Sequence, residues 1–233
     1  GDRGLKKIGK FLAIVFAIMC VGGSFGGGNM FQSNQAFAML ESYTGGSEGP
    51  LAGMGWLFGI IMAIIVGIVI IGGIKKIAKE KDKIVPFMVV TYVLAALIIL
   101  GIHFSEIPSA FGQILSGAFS PEGIAGGVFG VLIQGFKRAA FSNEAGVGSA
   151  SIAHSAVKTK YAASEGLVAL LEPFIDTVLV CTMTALVLVI SNGDNSIMVY
   201  GQEITEGVEV TSRAFASNIS WFQFVLTIAV ILF

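Results

Sequence analysis

The sequence predicts an all-α fold, a polytopic transmembrane helix bundle in which one helix is broken within the bilayer. Three observations predict it. Of 233 residues, 55% are hydrophobic and 12% charged, against about 25% charged in soluble domains, and the mean hydropathy is +0.85. Apolar runs long enough to cross a hydrocarbon core alternate with short polar connections. Within one such run, residues 136–159, FKRAAFSNEAGVGSASIAHSAVKT, put Asn143, Glu144, two glycines and His154 where a lipid-facing helix has no use for them. A charge at mid-bilayer costs about 2.5–3.5 kcal/mol on insertion scales. Interrupted helices are tolerated only where they are buried in protein or line a water-filled cavity.

The whole chain reads as a single transmembrane unit, and its elements follow in order. No charged residue lies between Lys10 and Glu41, so the first span is placed at about 8–43, long enough to cross at a strong tilt. At 100° per residue Gly22, Gly26, Asn29 and Ser33 share one face, with Gln32 and Phe37 at its edges. That polar face is expected to point inward, either for close helix packing or as a pocket wall. The second span is 51–74. The third is 84–104, with Pro86 in its first turn, where a missing amide donor is harmless, and His103 as a capping or interfacial residue at its end. Pro108 and Pro121 punctuate a glycine-rich stretch read as a short helix, a loop and an interfacial helix at about 124–136. The fourth span is 137–158, broken between Ser142 and Gly148. The fifth is 166–190. A polar, acidic, hairpin-like loop follows, and a last apolar run occupies 221–233. That run is shorter than the roughly 20 residues a crossing needs, and the first residues, GDRGLKK, show no initiator Met or signal-peptide pattern. The chain is therefore expected to be a fragment of a longer protein.

Charge distribution orients these spans. Net charge is only -1, which suggests neither nucleic acid nor an anionic surface as a partner. Arg3, Lys6, Lys7 and Lys10 precede the first span, five lysines from Lys75 to Lys83 separate the second from the third, and Lys158 and Lys160 separate the fourth from the fifth. The segments 41–50, 105–123 and 191–212 carry acids and no Lys or Arg. The positive-inside rule makes the basic connections and the N-terminal end cytoplasmic, with the chain in a plasma or inner membrane. Cys20 and Cys181 lie in apolar runs and read as small buried hydrophobes rather than a disulfide.

The interrupted segment supplies the candidate chemistry. Gly146 and Gly148 can take backbone angles that a side chain forbids, and Ser142, Asn143 and Ser149 offer short polar groups. A break at mid-membrane frees carbonyls on one half-helix and amides on the other. The amides, with the helix dipole behind them, suit a carboxylate, and the carbonyls suit a cation or an ammonium group. A small zwitterion needs both. Asn29, Gln32, Phe37, Phe141, Ser142, Asn143, Gly146, Gly148 and Ser149 are the candidate substrate-binding residues, with Phe141 or Phe37 limiting the pocket. Glu144 is either an anchor for the unwound turn or a coupling group. His154, Glu172 and Asp176 have the same two readings, hydrogen bonding inside the bundle or coupling and gating. Glu172 and Asp176 lie one helical turn apart on a shared face. No metal ligand set is assigned. A membrane-embedded enzyme using Glu144 and His154 is the rival class, but no HExxH motif is present. An ion channel is a third, although no repeated pore ring appears.

FSNEAGVGSASIAHSAVKT, EGLVALLEPFIDTVLVCTMTALVLV and GNMFQSNQAF together resemble the alanine or glycine:cation symporter family. The resemblance covers nearly the whole chain, most weakly 105–125 and 191–220. It implies a secondary symporter for small neutral amino acids driven by sodium or by protons, and not an enzyme. It also implies a LeuT-type fold of two inverted five-helix repeats with discontinuous first and sixth helices. On that resemblance the spans correspond to the third to eighth helices, with the first and second absent and the eighth begun at 221. The partners implied are an amino-acid substrate, the lipid bilayer and those missing helices. Many relatives have proline where this chain has Ser151 and glycine near Ala139, which bears on the rigidity of the inner half-helix.

Overall fold

A computed structural model describes residues 6–25, 29–119, 148–199 and 207–232. Among these residues the chain is helix and turn, without a strand. The helices are α1 (Lys6–Gly23), α2 (Asn29–Tyr43), α3 (Gly55–Ile71), α4 (Gly73–Ile102), α5 (Ile107–Ala118), α6 (Ala150–His154), α7 (Ala162–Pro173), α8 (Cys181–Ser191), α9 (Gly207–Asn218) and α10 (Phe222–Leu232). A π-helical stretch, Phe174–Val180, joins α7 to α8 without a break. Lys76–Ile102 and Ala162–Ser191 are each long and apolar enough to cross a membrane, and only 28% and 17% of their apolar windows are buried. Helices that apolar and that exposed suit lipid, since the core helix of a soluble domain would be covered.

Several boundaries differ from the sequence expectation, each for a local reason. The span placed at 8–43 is two helices, α1 ending at Gly23 and α2 starting at Asn29. The sequence between and around them, GGSFGGG, is the weakest helix former in the chain. Ser24 and Phe25 extend α1 as a π-helical end, and Gly26 of the expected polar face lies outside the described residues. The second connection is also different. The basic segment after Gly72 is helical rather than a loop, so α3 and α4 meet at a single turn where Gly73 has φ +72°. Lys, Glu and Ala propagate helix well, and Lys76 Nζ donates to the Ile68 carbonyl at 2.9 Å, satisfying an end carbonyl of α3. Pro86 consequently lies deep inside the 30-residue α4 instead of in its first turn, which leaves the Asp82 carbonyl without its helical donor.

At the other end of the chain, the span predicted to run helically to Lys158 stops at His154. Ser155 Oγ turns back to the Ile152 carbonyl at 2.7 Å, and Thr159 and Ser164 hydroxyls, 2.9 Å apart, organise the entry to α7. The fifth span is longer than 166–190, running from Ala162 to Ser191. The short helix after His103 is α5, opened by Pro108 in its first turn. The interfacial helix expected at 124–136 lies outside the described residues. The hairpin-like loop is a turn built on Asn192, whose Oδ1 accepts the amides of Ile197 at 3.2 Å and Met198 at 2.9 Å. It leads to α9, a helix the hydropathy pattern does not announce.

The packed core lies at the end of the bundle where α4 and α8 finish. Met39, Ala95, Ala96, Ile99, Leu100, Leu186, Val187, Ala214, Phe215, Phe222 and Leu226 are all buried there. Phe215 on α9 is fully buried, stacked on Phe222 with ring centroids 5.3 Å apart and tilted against Tyr92 at 5.1 Å. The alanines at 95, 96 and 214 let α4, α8 and α9 approach closely, with α10 lying along α2. This is the acid-rich end of the chain's connections. The opposite, basic end holds the α3–α4 turn and the α6–α7 connection.

Candidate functional site

Four arrangements carry candidate chemistry, and the segment expected to be interrupted supplies the first. Phe141, Ser142, Asn143, Glu144 and Gly146 lie outside the described residues. The first described residue of the segment, Gly148, has φ +88°, a left-handed conformation open to glycine and costly for any residue with a Cβ. Ser149 follows as the residue before α6, which is only five residues long. A positive-φ glycine thus precedes the one-turn α6, and the break expected from Ser142 onward otherwise lies outside the described residues.

The α2–α3 groove is the second arrangement. It encloses about 420 Å³ and is lined by Met30, Ser33, Asn34, Phe37, Gly55 and Phe58. Phe37 sits so close to Gly55 that a Cβ there would lie 3.2 Å from its ring, and its centroid is 5.6 Å from that of Phe58. Phe37 thus packs α2 on α3, and Ser33 faces the same groove. Gln32 is exposed among the described residues, and Asn29 opens α2. The inward face of α2 is carried by Ala36 and Met39, a stripe on which Gln32 lies one turn earlier.

The third arrangement lies at the basic end. His154 closes α6, and its Nδ1 is 2.6 Å from Glu165 Oε1 on α7, while its Nε2 is 3.8 Å from Glu172 Oε2. An ionised carboxylate only accepts, so Nδ1 carries the hydrogen and donates it to Glu165. The side chains are 24%, 18% and 37% exposed, respectively, and are therefore wet enough to exchange protons. Sequence alone singles out His154, Glu172 and Asp176; Glu165 emerges from the fold. Its signal was available: Glu165 and Glu172 are seven residues apart, two turns of one helix face. Asp176 is half-buried in the π-helical stretch, where Pro173 withholds an amide and the Cys181 N–H bonds the Asp176 carbonyl in the wider i→i+5 pattern.

A histidine also marks the acid-rich end. His103, one residue beyond α4, faces Glu106 Oε1 at 2.9 Å through Nδ1 and Asn218 Oδ1 at 3.0 Å through Nε2. The Asn218 amide nitrogen donates to Ser191 Oγ at 2.8 Å and to the Ala214 carbonyl at 3.0 Å, which fixes the orientation of its oxygen toward the ring. Both ring nitrogens face acceptors. The Glu106 carboxylate, and secondarily Asn218, accordingly raise the affinity of His103 for its proton. In the following loop, the Ser196 hydroxyl and amide hold the Asp194 carboxyl below its ordinary range. The acid-rich connection extends through α9 and includes Arg213, which pairs with Glu209 one turn away at 2.5 Å. A lysine- and arginine-free segment therefore ends at 212 only by one residue.

Comparison with known proteins gives this geometry a context. The family model described as the sodium:alanine symporter family matches residues 2–233. The chain is similar to a sodium/alanine symporter of Methanococcus maripaludis, with 42% identity over 193 residues that cover 82% of this chain and 41% of that one. It is 31% identical over 235 residues to a probable sodium/glutamine symporter of Bacillus subtilis, covering 100% of this chain and 46% of the other. A sodium/proton-dependent alanine carrier protein of Bacillus sp. PS3 is 35% identical over 140 residues, 60% of this chain and 32% of that protein. The chain spans less than half the length of each of these relatives.

Proposed function

The chain belongs to the sodium:alanine symporter family, and from that premise we propose that it forms part of a secondary active symporter taking up small neutral amino acids, alanine or glycine, by alternating access. Sodium is the coupling ion in this reading, with a proton as the second candidate because one relative carries sodium/proton dependence in its name. The observation that carries the reading is the positive-φ Gly148 ahead of the one-turn α6. It supports an unwound stretch whose free dipoles hold the carboxylate and ammonium of the substrate. Substrate contacts are assigned to Asn29, Gln32, Phe37, Phe141, Ser142, Asn143, Gly146, Gly148 and Ser149. Coupling or gating is assigned to Glu144, His154, Glu172 and Asp176. A LeuT-type inverted repeat, with the basic connections cytoplasmic and the first and eighth helices completing the site, belongs to the same reading.

Uptake of labelled alanine by the complete transporter in proteoliposomes, with and without a sodium gradient, tests it. Saturable uptake that needs sodium is expected, and uptake unaffected in the Gln32→Ala, Asn143→Ala double variant would remove the site assignment. Flux that rises linearly with substrate would point to a channel instead.

A further inference from the structure

We infer that His154, Glu165 and Glu172 form a proton-binding site whose occupancy fastens α6 to α7 at the basic end of the bundle. The inference rests on the symporter reading for its consequence but not for its geometry. His154 is the last residue of a five-residue helix, and its two described partners are both on α7, at 2.6 Å and 3.8 Å from opposite nitrogens of one ring. The two distances differ in meaning. At 2.6 Å the Glu165 contact is a charge-assisted hydrogen bond that holds the ring in its Nδ1–H form. At 3.8 Å the Glu172 contact is too long for a hydrogen bond and is an attraction only if Nε2 also carries a proton. With Nε2 bare, its lone pair faces a carboxylate.

One proton therefore decides the sign of the second contact. Bound, it turns the ring into an imidazolium between two carboxylates, with a local charge of minus one. Released, it leaves two carboxylates and a lone pair, with a charge of minus two. Among the described residues, no other charged group is recorded within ion-pair distance of the ring. Lys158 and Lys160 are exposed on the connection from α6 to α7, and Asp176 lies one turn beyond Glu172. α6 follows the positive-φ Gly148, so the clamp acts on the helical turn that this glycine introduces. With the Glu172 contact turned repulsive and only the Glu165 bond remaining, that turn is held less tightly to α7, and the proton becomes a control on opening toward the basic side.

The site is testable without transport. In the complete protein in lipid nanodiscs, ¹⁵N spectra of the imidazoles, assigned by difference from His154→Gln, should show His154 protonated on both nitrogens at pH 5.5 and on Nδ1 alone at pH 9. In Glu165→Leu the high-pH form should revert to the commoner Nε2–H tautomer. Amide hydrogen exchange of residues 150–156, corrected for its intrinsic pH dependence, should be at least tenfold slower at pH 5.5 than at pH 9 in the wild type. In His154→Gln and Glu172→Gln that ratio should fall to about one. An Nε2–H tautomer in the wild type, or a protection ratio that persists in His154→Gln, overturns the inference. Alanine uptake is read in parallel. If uptake is absent while the tautomer and the exchange ratio behave as expected, the symporter reading fails and the proton site stands. If uptake is present and the exchange ratio is flat, the proton site fails alone.

Discussion

The two ends of this bundle each hold a histidine whose ring nitrogens both face acceptors, yet they are built from opposite materials. At the acid-rich end His103 joins Glu106, Asn218 and Ser191 directly above a packed layer containing Phe215, Ile99, Val187 and Met39. Helices α2, α4, α8, α9 and α10 all contribute buried side chains to that core, and α5 adds Ala110. At the basic end His154 is held by two carboxylates of one neighbouring helix, on a one-turn helix none of whose residues is buried. Dispersion and small-residue packing are indifferent to pH, whereas a contact made of an imidazole and two carboxylates is strengthened and weakened by a proton. A bundle fixed at one end and charge-latched at the other can hinge at the latched end. In the symporter proposed above, that asymmetry places opening at the basic end.

The comparison breaks first if the acid-rich end is not the rigid one. Phe215→Ala removes the largest fully buried side chain in the layer and should cost about 3–5 kcal/mol, seen as a loss of thermal stability in detergent. A loss under about 1 kcal/mol would mean that the Phe215 layer is loosely filled and that the fixed end lies elsewhere. Asn218→Ala comes next. It strands His103 Nε2 and the Ser191 hydroxyl together, and each unsatisfied half-buried group costs about 1–3 kcal/mol. Because α4, α8 and α9 all end at this node, hydrogen exchange should accelerate at all three termini. Acceleration confined to α9 would reduce Asn218 to an ordinary helix cap.

Gly148→Ala probes the other end and should be smaller, about 1–2 kcal/mol. No atom lies within 4 Å of the added Cβ, so the whole cost is the left-handed backbone at φ +88°. Gly148→Asn, which tolerates positive φ better, should recover part of it. Equal behaviour of the Ala and Asn variants in a thermal melt would show that this backbone angle is not retained in the membrane.

How much of this was readable beforehand follows from which forces leave a trace in sequence. Apolar runs gave the spans that became α3, α4, α7–α8 and α10, because hydropathy records the solvent a segment must face. Of the two glycines singled out, Gly148 has the positive φ that glycine adopts cheaply, and Gly146 lies outside the described residues. What escaped were events decided between segments. The lysine-rich connection became the first turns of α4 because Lys, Ala and Glu sustain a helix once α3 has delivered the chain at Gly73, and a rule that treats charge as loop cannot see that. α9 escaped because VEVTSRAFASN is too polar for a span, and its buried residues, Ser212, Ala214 and Phe215, are covered only when α4 and α8 arrive. Glu165 escaped for the same reason: its meaning comes from His154, eleven residues earlier, after the chain has reversed. On the polar face drawn from 22 to 37, Ser33 and the edge residue Phe37 do line the α2–α3 groove, whereas Gln32, its other edge, is exposed.

The smallest expected effect separates the two charged groups of the acid-rich end by sign. The proton affinity of His103 is raised above that of a free imidazole by Glu106, so its contribution to stability is complete below about pH 6.5 and fades as pH rises through the folded value. Asp194, with its carboxyl held below the ordinary range by Ser196, contributes fully above the ordinary carboxylate pKa and loses that contribution as pH falls through the folded value. Both groups are solvent-exposed, so each change is modest and salt-sensitive. Exchange rates of residues 192–199 should therefore rise on acidification and those of 103–106 on alkalinisation, each after correction for intrinsic pH dependence. Glu106→Gln should abolish the second trend and leave the first untouched. If both trends vanish together in that variant, the loop on Asn192 and the His103 node are one cooperative unit, and the acid-rich end is more rigid than its separate contacts imply. If the alkaline trend survives, the raised proton affinity of His103 comes from Asn218, and the histidine there is a structural pin with no counterpart at the basic end.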